Sequence, residues 1–405
     1  MPHSNMTPLS TTTQRNLRES GSFYGHGQCA CSLGLVRRVS LAAVLVVLGL
    51  VACGSPALFA GTYKDSQNVT YTTTLGAPNT AVVTQSNGVS GAITIPTTIN
   101  DGTDTYQVIS IGNSAFFSRS SMTSVTIPSS VTRIGQLAFY GCTGLTSVTI
   151  PSRVTSIVDG AFYDCTGLTS VTISSGVTSI EMRAFQNCSN LTSVIIPNTV
   201  TSIGSDAFLS CSRLTSVTLS SSITSIGASV FSGCTNLASI TIPSSVTSIG
   251  ASSFYGCTGL TSITIPSSVT SIGASSFYGC IGLTSMTIPS SVTTIGAGAF
   301  AACSGLGLIT VDPDNSAYSS VGGVLFDKNQ TTLVAYPGGN LNATYSIING
   351  VTSIGQGAFQ NCTRLTSVTI PNSVIGIGTS AFSGCTGLTS VTIPSGVTTI
   401  SSGAF

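Results

Sequence analysis

Ten cysteines stand where chemistry would first be sought: Cys142, Cys165, Cys188, Cys211, Cys234, Cys257, Cys280, Cys303, Cys362 and Cys385. Thiolates ligate zinc, form disulfides and act as nucleophiles, so a column of them calls for an explanation. Each follows a phenylalanine by three positions. Zinc sites use close C-x-x-C or C-x-x-x-x-C pairs, often joined by histidine, and this spacing is different. The only histidines, His3 and His26, precede an apolar export-type segment and would be removed with it. A Ser-His or Cys-His mechanism then has no imidazole. Asp159 and Asp164 flank Phe162 closely enough to suggest a general acid–base pair. The plainer alternative, solvated carboxylates near Arg133 and Arg183, needs no pocket and is preferred. Arg183 and Asp206 hold equivalent positions one period apart and are expected to form an exposed ion pair worth little. Asp312 and Asp314 supply fewer oxygens than calcium demands. No phosphate loop or metal cluster appears, so no catalytic, cofactor or metal site is expected and the chain does not read as an enzyme.

Only 6% of the 405 residues are charged and the net charge is +1. Nucleic-acid and anionic-membrane binders need a basic patch or stripe, so neither class is expected. Low charge does not signal disorder here, because the apolar residues recur at fixed places.

The elements that carry the cysteines repeat every 23 residues. The stretch from Ile134 to Pro151 returns around Phe162, Phe185, Phe208, Phe231, Phe254, Phe277 and Phe300; an earlier copy holds Phe116, and later ones hold Phe359, Phe382 and Phe405. Fixed self-similarity at this period is the mark of a solenoid. Within one rung the core positions are Val131, Ile134, Phe139, Cys142, Leu145, Val148 and Ile150, and their counterparts include Phe162, Cys165, Phe254 and Cys257. Leu145-x-x-Val148-x-Ile150 reads as a short strand by period-two alternation, ended by Pro151. Residues 131–134 form a second, shorter extended piece. Ala138-Phe139 is placed on a helical or 3₁₀ turn that drives the ring inward, and Gly135 on a turn whose backbone other residues resist. Burying so few side chains does not offset the entropy of ordering a rung, so rungs fold only by stacking. Equivalent cysteines then lie a rung apart with parallel side chains, a geometry that favours buried free thiols over disulfides.

These residues resemble the BspA-like leucine-rich-repeat family, with its L-x-x-L-x-I-P … L-x-x-I-G-x-x-A-F-x-x-C pattern. The resemblance runs from Val108 to Phe405 and departs from the pattern locally: Met122 stands for Leu, Arg119 for Cys, Ser174 and Ser220 for Pro, and Val158 and Glu181 for Gly. It implies a β-rich solenoid, a right-handed superhelix of stacked short parallel strands joined by short helical or 3₁₀ turns. It also implies an exported or surface protein that binds other macromolecules, host matrix proteins among them, as adhesins do.

The chain divides at changes in this pattern. Residues 1–60 form a leader and signal peptide, in which Arg37-Arg38 precede the apolar run from Leu41 to Val51 and small residues lead to Ala60. Cleavage after Ala60 gives a secreted protein, whereas lipidation of Cys53 in the Leu50-Val51-Ala52-Cys53 run gives an anchored one. An uncleaved anchor ranks last because Gly54-Ser55-Pro56 would break its helix. Either way the destination is secreted or cell-surface, and any membrane attachment is through the N-terminus. Residues 61–107 read as a β cap, residues 108–311 as repeats, 312–347 as a β-hairpin insertion and 348–405 as further repeats. The apolar end at Phe405 suits stacking on a second copy.

Two hydroxyl columns are the candidate binding face: Ser147/Thr149, Ser170/Thr172, Ser216/Thr218, Ser239/Thr241, Ser262/Thr264 and Ser285/Thr287. Threonine and serine also stabilise strands, so structure alone is a competing explanation. The expected partner is a protein or glycan of unstated identity. A structural, self-assembling surface protein is the alternative, and ice or ordered-water binding by the hydroxyl ladders is the remote one.

Overall fold

The computed structural model describes residues 58–405; residues 1–57 of the expected leader, with Cys53 and both histidines, lie outside them, and the leader's last three residues begin the first strand. Among the described residues no helix is long and apolar enough to cross a membrane. The described residues open with an antiparallel meander of β1 (Leu58–Lys64), β2 (Thr70–Leu75) and β3 (Thr80–Val83). The turn cluster Gly76-Ala77-Pro78-Asn79 separates β2 from β3, as the composition of that segment predicts. β4 (Gly91–Thr94) pairs in parallel with Met122–Thr126. β5 (Thr98–Asn100) folds back on β6 (Thr105–Ile111), and β6 pairs in parallel with both β3 and Arg133–Ile134. The cap thus presents an edge to each of the two strand columns that follow.

The first column holds the L-x-x-V-x-I segments. Ser147–Ile150 pairs in parallel with Ser170–Ile173, each residue opposite its counterpart one rung later. Val148 and Ile150 are buried while Ser147 and Thr149 face out, the alternation that a pleated strand imposes. The second column is two residues wide: Ser156–Ile157 pairs with Ser179–Ile180, which pairs with Ser202–Ile203.

The phenylalanine turns join the columns, and they are not helical. Alternate N–H groups are committed to the next rung: Leu137 donates to the Asp159 carbonyl, Phe139 to Ala161 at 2.9 Å and Gly141 to Tyr163 at 2.8 Å. The intervening donors close turns within the rung, Ala138 to Gly135, Tyr140 to Leu137 and Cys142 to Phe139. A helix would need every donor internally, so the expected helical or 3₁₀ turn gives way to a ladder in which each rung donates forward. That backbone requires left-handed residues two positions either side of the phenylalanine, such as Leu137 (φ 54°) and Gly141 (φ 66°). Gly135 is not among them. Its requirement is space, since a Cβ there would sit 2.5 Å from the Asn113 nitrogen of the preceding rung.

The phenylalanine rings stack in turn, from Phe116–Phe139 at 5.2 Å to Phe277–Phe300 at 5.7 Å. Such offset pairs add about 0.5–1.5 kcal/mol each beyond area burial. The stack is interrupted at the insertion, which is three-stranded: Tyr318–Val321, Val324–Asp327 and Thr332–Ala335. Val324–Asp327 and Thr332–Ala335 pair antiparallel, and the second of these strands is also a working part of the solenoid. Thr332–Ala335 takes the second-column place beside Ser353–Ile354, and Tyr336 takes the phenylalanine place, stacked on Phe359 at 5.1 Å. Val324, Leu325 and Phe326 are all buried, Leu325 in the larger core and its two neighbours in the smaller core that contains Phe359 and Phe382. The insertion therefore partitions the interior and seals both halves.

Two glycine substitutions separate the constraints at work. At Gly250 a Cβ would lie 2.6 Å from the Gly227 carbonyl carbon, so Gly250→Ala is expected to cost about 3 kcal/mol, the upper part of the overpacking range. Gly256 has φ +67° and open space around it, so Gly256→Ala is expected to cost about 1 kcal/mol of backbone strain. Urea unfolding should give midpoints in that order; the reverse order would show that conformation, not rung contact, fixes the glycines.

Candidate binding surface

The twelve residues of the two hydroxyl columns are all exposed. Ser147 lies opposite Ser170 and Thr149 opposite Thr172, and Ser239, Thr241, Ser262 and Thr264 repeat the arrangement. Among the described residues only one of these hydroxyls holds a hydrogen bond, Thr287 Oγ1 to Thr310 Oγ1 at 3.0 Å. The neighbouring threonine column is different. Thr146, Thr169, Thr192 and Thr215 each donate to the carbonyl of the equivalent residue one rung back, at 3.0–3.2 Å. One threonine column is thus consumed by rung stacking, while the Ser147 and Thr149 columns keep their donors and acceptors. Ile195 replaces threonine in the middle of the face and is 69% exposed, an apolar spot between Thr172 and Thr218.

The cysteine column points the other way. All ten thiols are free, and all but the half-buried Cys385 are buried. Nine of the ten, all but Cys362, donate Sγ–H to the carbonyl of the phenylalanine 26 residues earlier, as Cys142 does to Phe116 and Cys165 to Phe139, both at 3.0 Å. The side chains therefore pin successive rungs through a second bond to a carbonyl that already receives the turn's own N–H. Burial pushes the thiols of Cys142, Cys211 and Cys303 up to about 12. Neutral, inaccessible sulfur of this kind is structural.

The carboxylates flanking Phe162 are held in polar contacts. Arg183 Nη2 pairs with Asp159 Oδ2 at 3.0 Å, and Gln136 Nε2 donates to the same oxygen at 2.8 Å. This replaces the expected Arg183–Asp206 pair: Arg183 reaches back one rung, not forward. Asp164 accepts from Asn187 Nδ2 at 2.7 Å and, by its charge, pushes the Tyr140 hydroxyl pKa up. Among the described residues no three His, Cys, Asp or Glu side chains gather as a metal-binding group.

An aromatic ridge escapes a reading based on core periodicity. In five turns the position after the phenylalanine carries a second aromatic: Phe117, Tyr140, Tyr163, Tyr255 and Tyr278; Gln186, Leu209 and Ser232 separate the first three from the last two. Phe117 stacks on Tyr140 at 4.6 Å, Tyr140 meets Tyr163 edge-on at 5.0 Å, and Tyr255 stacks on Tyr278 at 4.7 Å. The signal is a second aromatic directly after the inward ring, in A-F-F, A-F-Y or S-F-Y. Phe405 stacks on Phe382 at 5.2 Å and remains 54% exposed.

The family model for BspA type leucine rich repeat regions matches residues 109–238, 224–342 and 335–405. Among solved structures, a leucine rich cell surface protein from Faecalibacterium prausnitzii A2-165 is 31% identical, with 87% of each chain covered and a TM-score of 0.51. A leucine-rich repeat protein from Bacteroides ovatus ATCC 8483 is 23% identical over 87% of this chain and 90% of its own, with a TM-score of 0.56; that likeness concerns the fold. No curated protein matches the sequence.

The raised thiol values carry a signed pH dependence. A group that binds its proton more tightly when folded contributes stability below its unfolded value, here 9.0, and loses it as pH rises towards about 12. Urea midpoints are therefore expected to hold from pH 7 to 8.5 and fall at pH 10.5, with a smaller fall in Cys211→Ala. In native protein at pH 8, iodoacetamide should label Cys385 before the buried nine. Equal labelling of all ten would contradict the buried column.

Proposed function

The chain belongs to the BspA-type leucine-rich repeat family, and on that basis we propose that it is an exported cell-surface protein that binds macromolecules through its strand face. The observation that carries this reading is the contrast between hydroxyl columns. The Thr146 column is spent on the fold, whereas the Ser147 and Thr149 columns are exposed, in register and, apart from Thr287, unpaired. Stacked strands hold these groups about 4.8 Å apart on a rigid backbone, so a partner meets an array already ordered for it. Recognition then depends on area and shape. The face carries no charge from Tyr255 to Ala302, so it suits a polar, uncharged surface of a protein or glycan. Ile195 supplies an apolar anchor of the kind that interface centres use. The 31% identical relative is described as a cell surface protein, which supports the proposed destination.

Replacing Thr218 and Thr241 by Lys puts two bulky charges on the face without entering the core. Surface plasmon resonance against immobilised matrix proteins and glycans is expected to show saturable binding by the parent and at least about a tenfold loss in the double variant. Equal binding by both would move the site elsewhere. Export is checked separately by mass analysis of protein from the producing cell. A start at Gly61 or a lipid on Cys53 is expected, and an intact Met1 start would oppose it.

A further inference from the structure

The insertion leaves a gap in the turn column. In an ordinary rung the chain passes from the phenylalanine through a left-handed residue to the cysteine, and the next turn lies directly above. After Tyr336 it takes a shortcut through Pro337-Gly338-Gly339, pressed so closely on the preceding rung that a Cβ on Gly339 would sit 2.5 Å from Gly305. The turn around Phe300 and the turn around Phe359 therefore face each other without a full turn between them. The result is a notch of about 270 Å³, lined by Tyr255, Tyr278, Gly298, Gln356, Gln360 and Ser380 among others.

The forward ladder stops at this notch. Gly298 occupies the donor position that Leu137 and Ser275 hold in other rungs; Ser275 donates to Ala297, but among the described residues the Gly298 N–H has no acceptor. On the far side, the carbonyls of Gln356 and Gln360 occupy acceptor positions that Asp159 and Tyr163 fill elsewhere, and they receive no donor among the described residues. The gap thus has a donor edge and an acceptor edge. Ala301 is the residue that follows Phe300 on the aromatic ridge, so beyond Tyr278 only a methyl group stands. Tyr255 covers one face of Tyr278 at 4.7 Å, and the other side of the ring adjoins the notch. Gln360 Nε2 crosses the gap to donate to the Tyr278 hydroxyl at 3.1 Å.

We propose that this notch is a binding site for a neutral saccharide, distinct from the strand face. An aromatic ring attracts the weakly positive C–H edge of a pyranose to its negative face, and Tyr278 backed by Tyr255 supplies such a platform. Sugar hydroxyls both donate and accept, which matches the Gly298 N–H on one edge and the Gln356 and Gln360 carbonyls on the other. No lining residue carries a charge, so an anionic or cationic ligand would leave water without a counter-charge. A site of a few polar groups around a ring is the usual form of small-ligand recognition.

The test is titration calorimetry with cellotriose, maltotriose and chitotriose, alongside a heparin-derived trisaccharide, using the chain with its insertion intact. At least one neutral trisaccharide is expected to bind. Tyr278→Ala should weaken it by about tenfold, the scale of one lost aromatic contact. Tyr278→Phe keeps the ring and should stay within about threefold of the parent. Tyr140→Ala, on the remote part of the ridge, and the strand-face variant Thr218→Lys should bind as the parent does. Thermal melting of each variant separates lost binding from lost folding, and Gln360→Ala, on a half-buried side chain, gives a second reading of the same site. Absence of binding by all three neutral sugars, preference for the heparin fragment, or unchanged affinity in both Tyr278→Ala and Gln360→Ala would overturn the proposal.

Discussion

The forward hydrogen bond of the phenylalanine turn governs this molecule. From Phe116 to Phe277 each turn gives three N–H groups to the turn that follows, and a buried donor left without that partner would cost more than the bond itself contributes. From this one demand follow the left-handed residues on either side of the phenylalanine and the closely packed glycines at rung contacts. The small alanine before the ring and the thiol that shares the phenylalanine carbonyl belong to the same unit. A rung is incomplete by construction, which is why cap, repeats and insertion must be contiguous.

The period, the strand column and the inward phenylalanine were legible because each writes a side-chain type at a fixed interval. Val148, Ile150, Phe139 and Cys142 are all buried, as the pattern requires. What the sequence could not show was the path of the backbone between them. Ala138-Phe139 has the composition of a helical turn, and only the neighbouring rung, by taking alternate donors, prevents one. The same limit hid the thiol bonds, whose acceptor is a main-chain oxygen 26 residues away. Arg183 illustrates a different limit: Asp159 and Asp206 were both within one rung, and direction along the stack was decided by packing.

The candidate surface was half legible. Ser147 and Thr149 announce a polar face, but nothing in their identity separates them from Thr146, which the fold consumes. Thr146 stands just before the strand and is exposed like Ser147; it differs in that its hydroxyl meets a carbonyl of the preceding rung. The aromatic ridge and the notch were further from view, because they arise from what the insertion omits. Tyr278, Gly298 and Gln360 are separated by up to 82 residues and meet because one turn is shortened.

The one-way ladder also has an electrical side. Peptide dipoles that point the same way add, as they do along a helix. In the turn column they point forward, but Thr132, Gly135 and Thr146 of the same rung donate to the preceding one and point back. The two sets offset one another, so whole repeats can be added without building a field along the stack. Where the forward ladder is interrupted, at the turn around Phe300, a donor edge stands without its acceptors among the described residues.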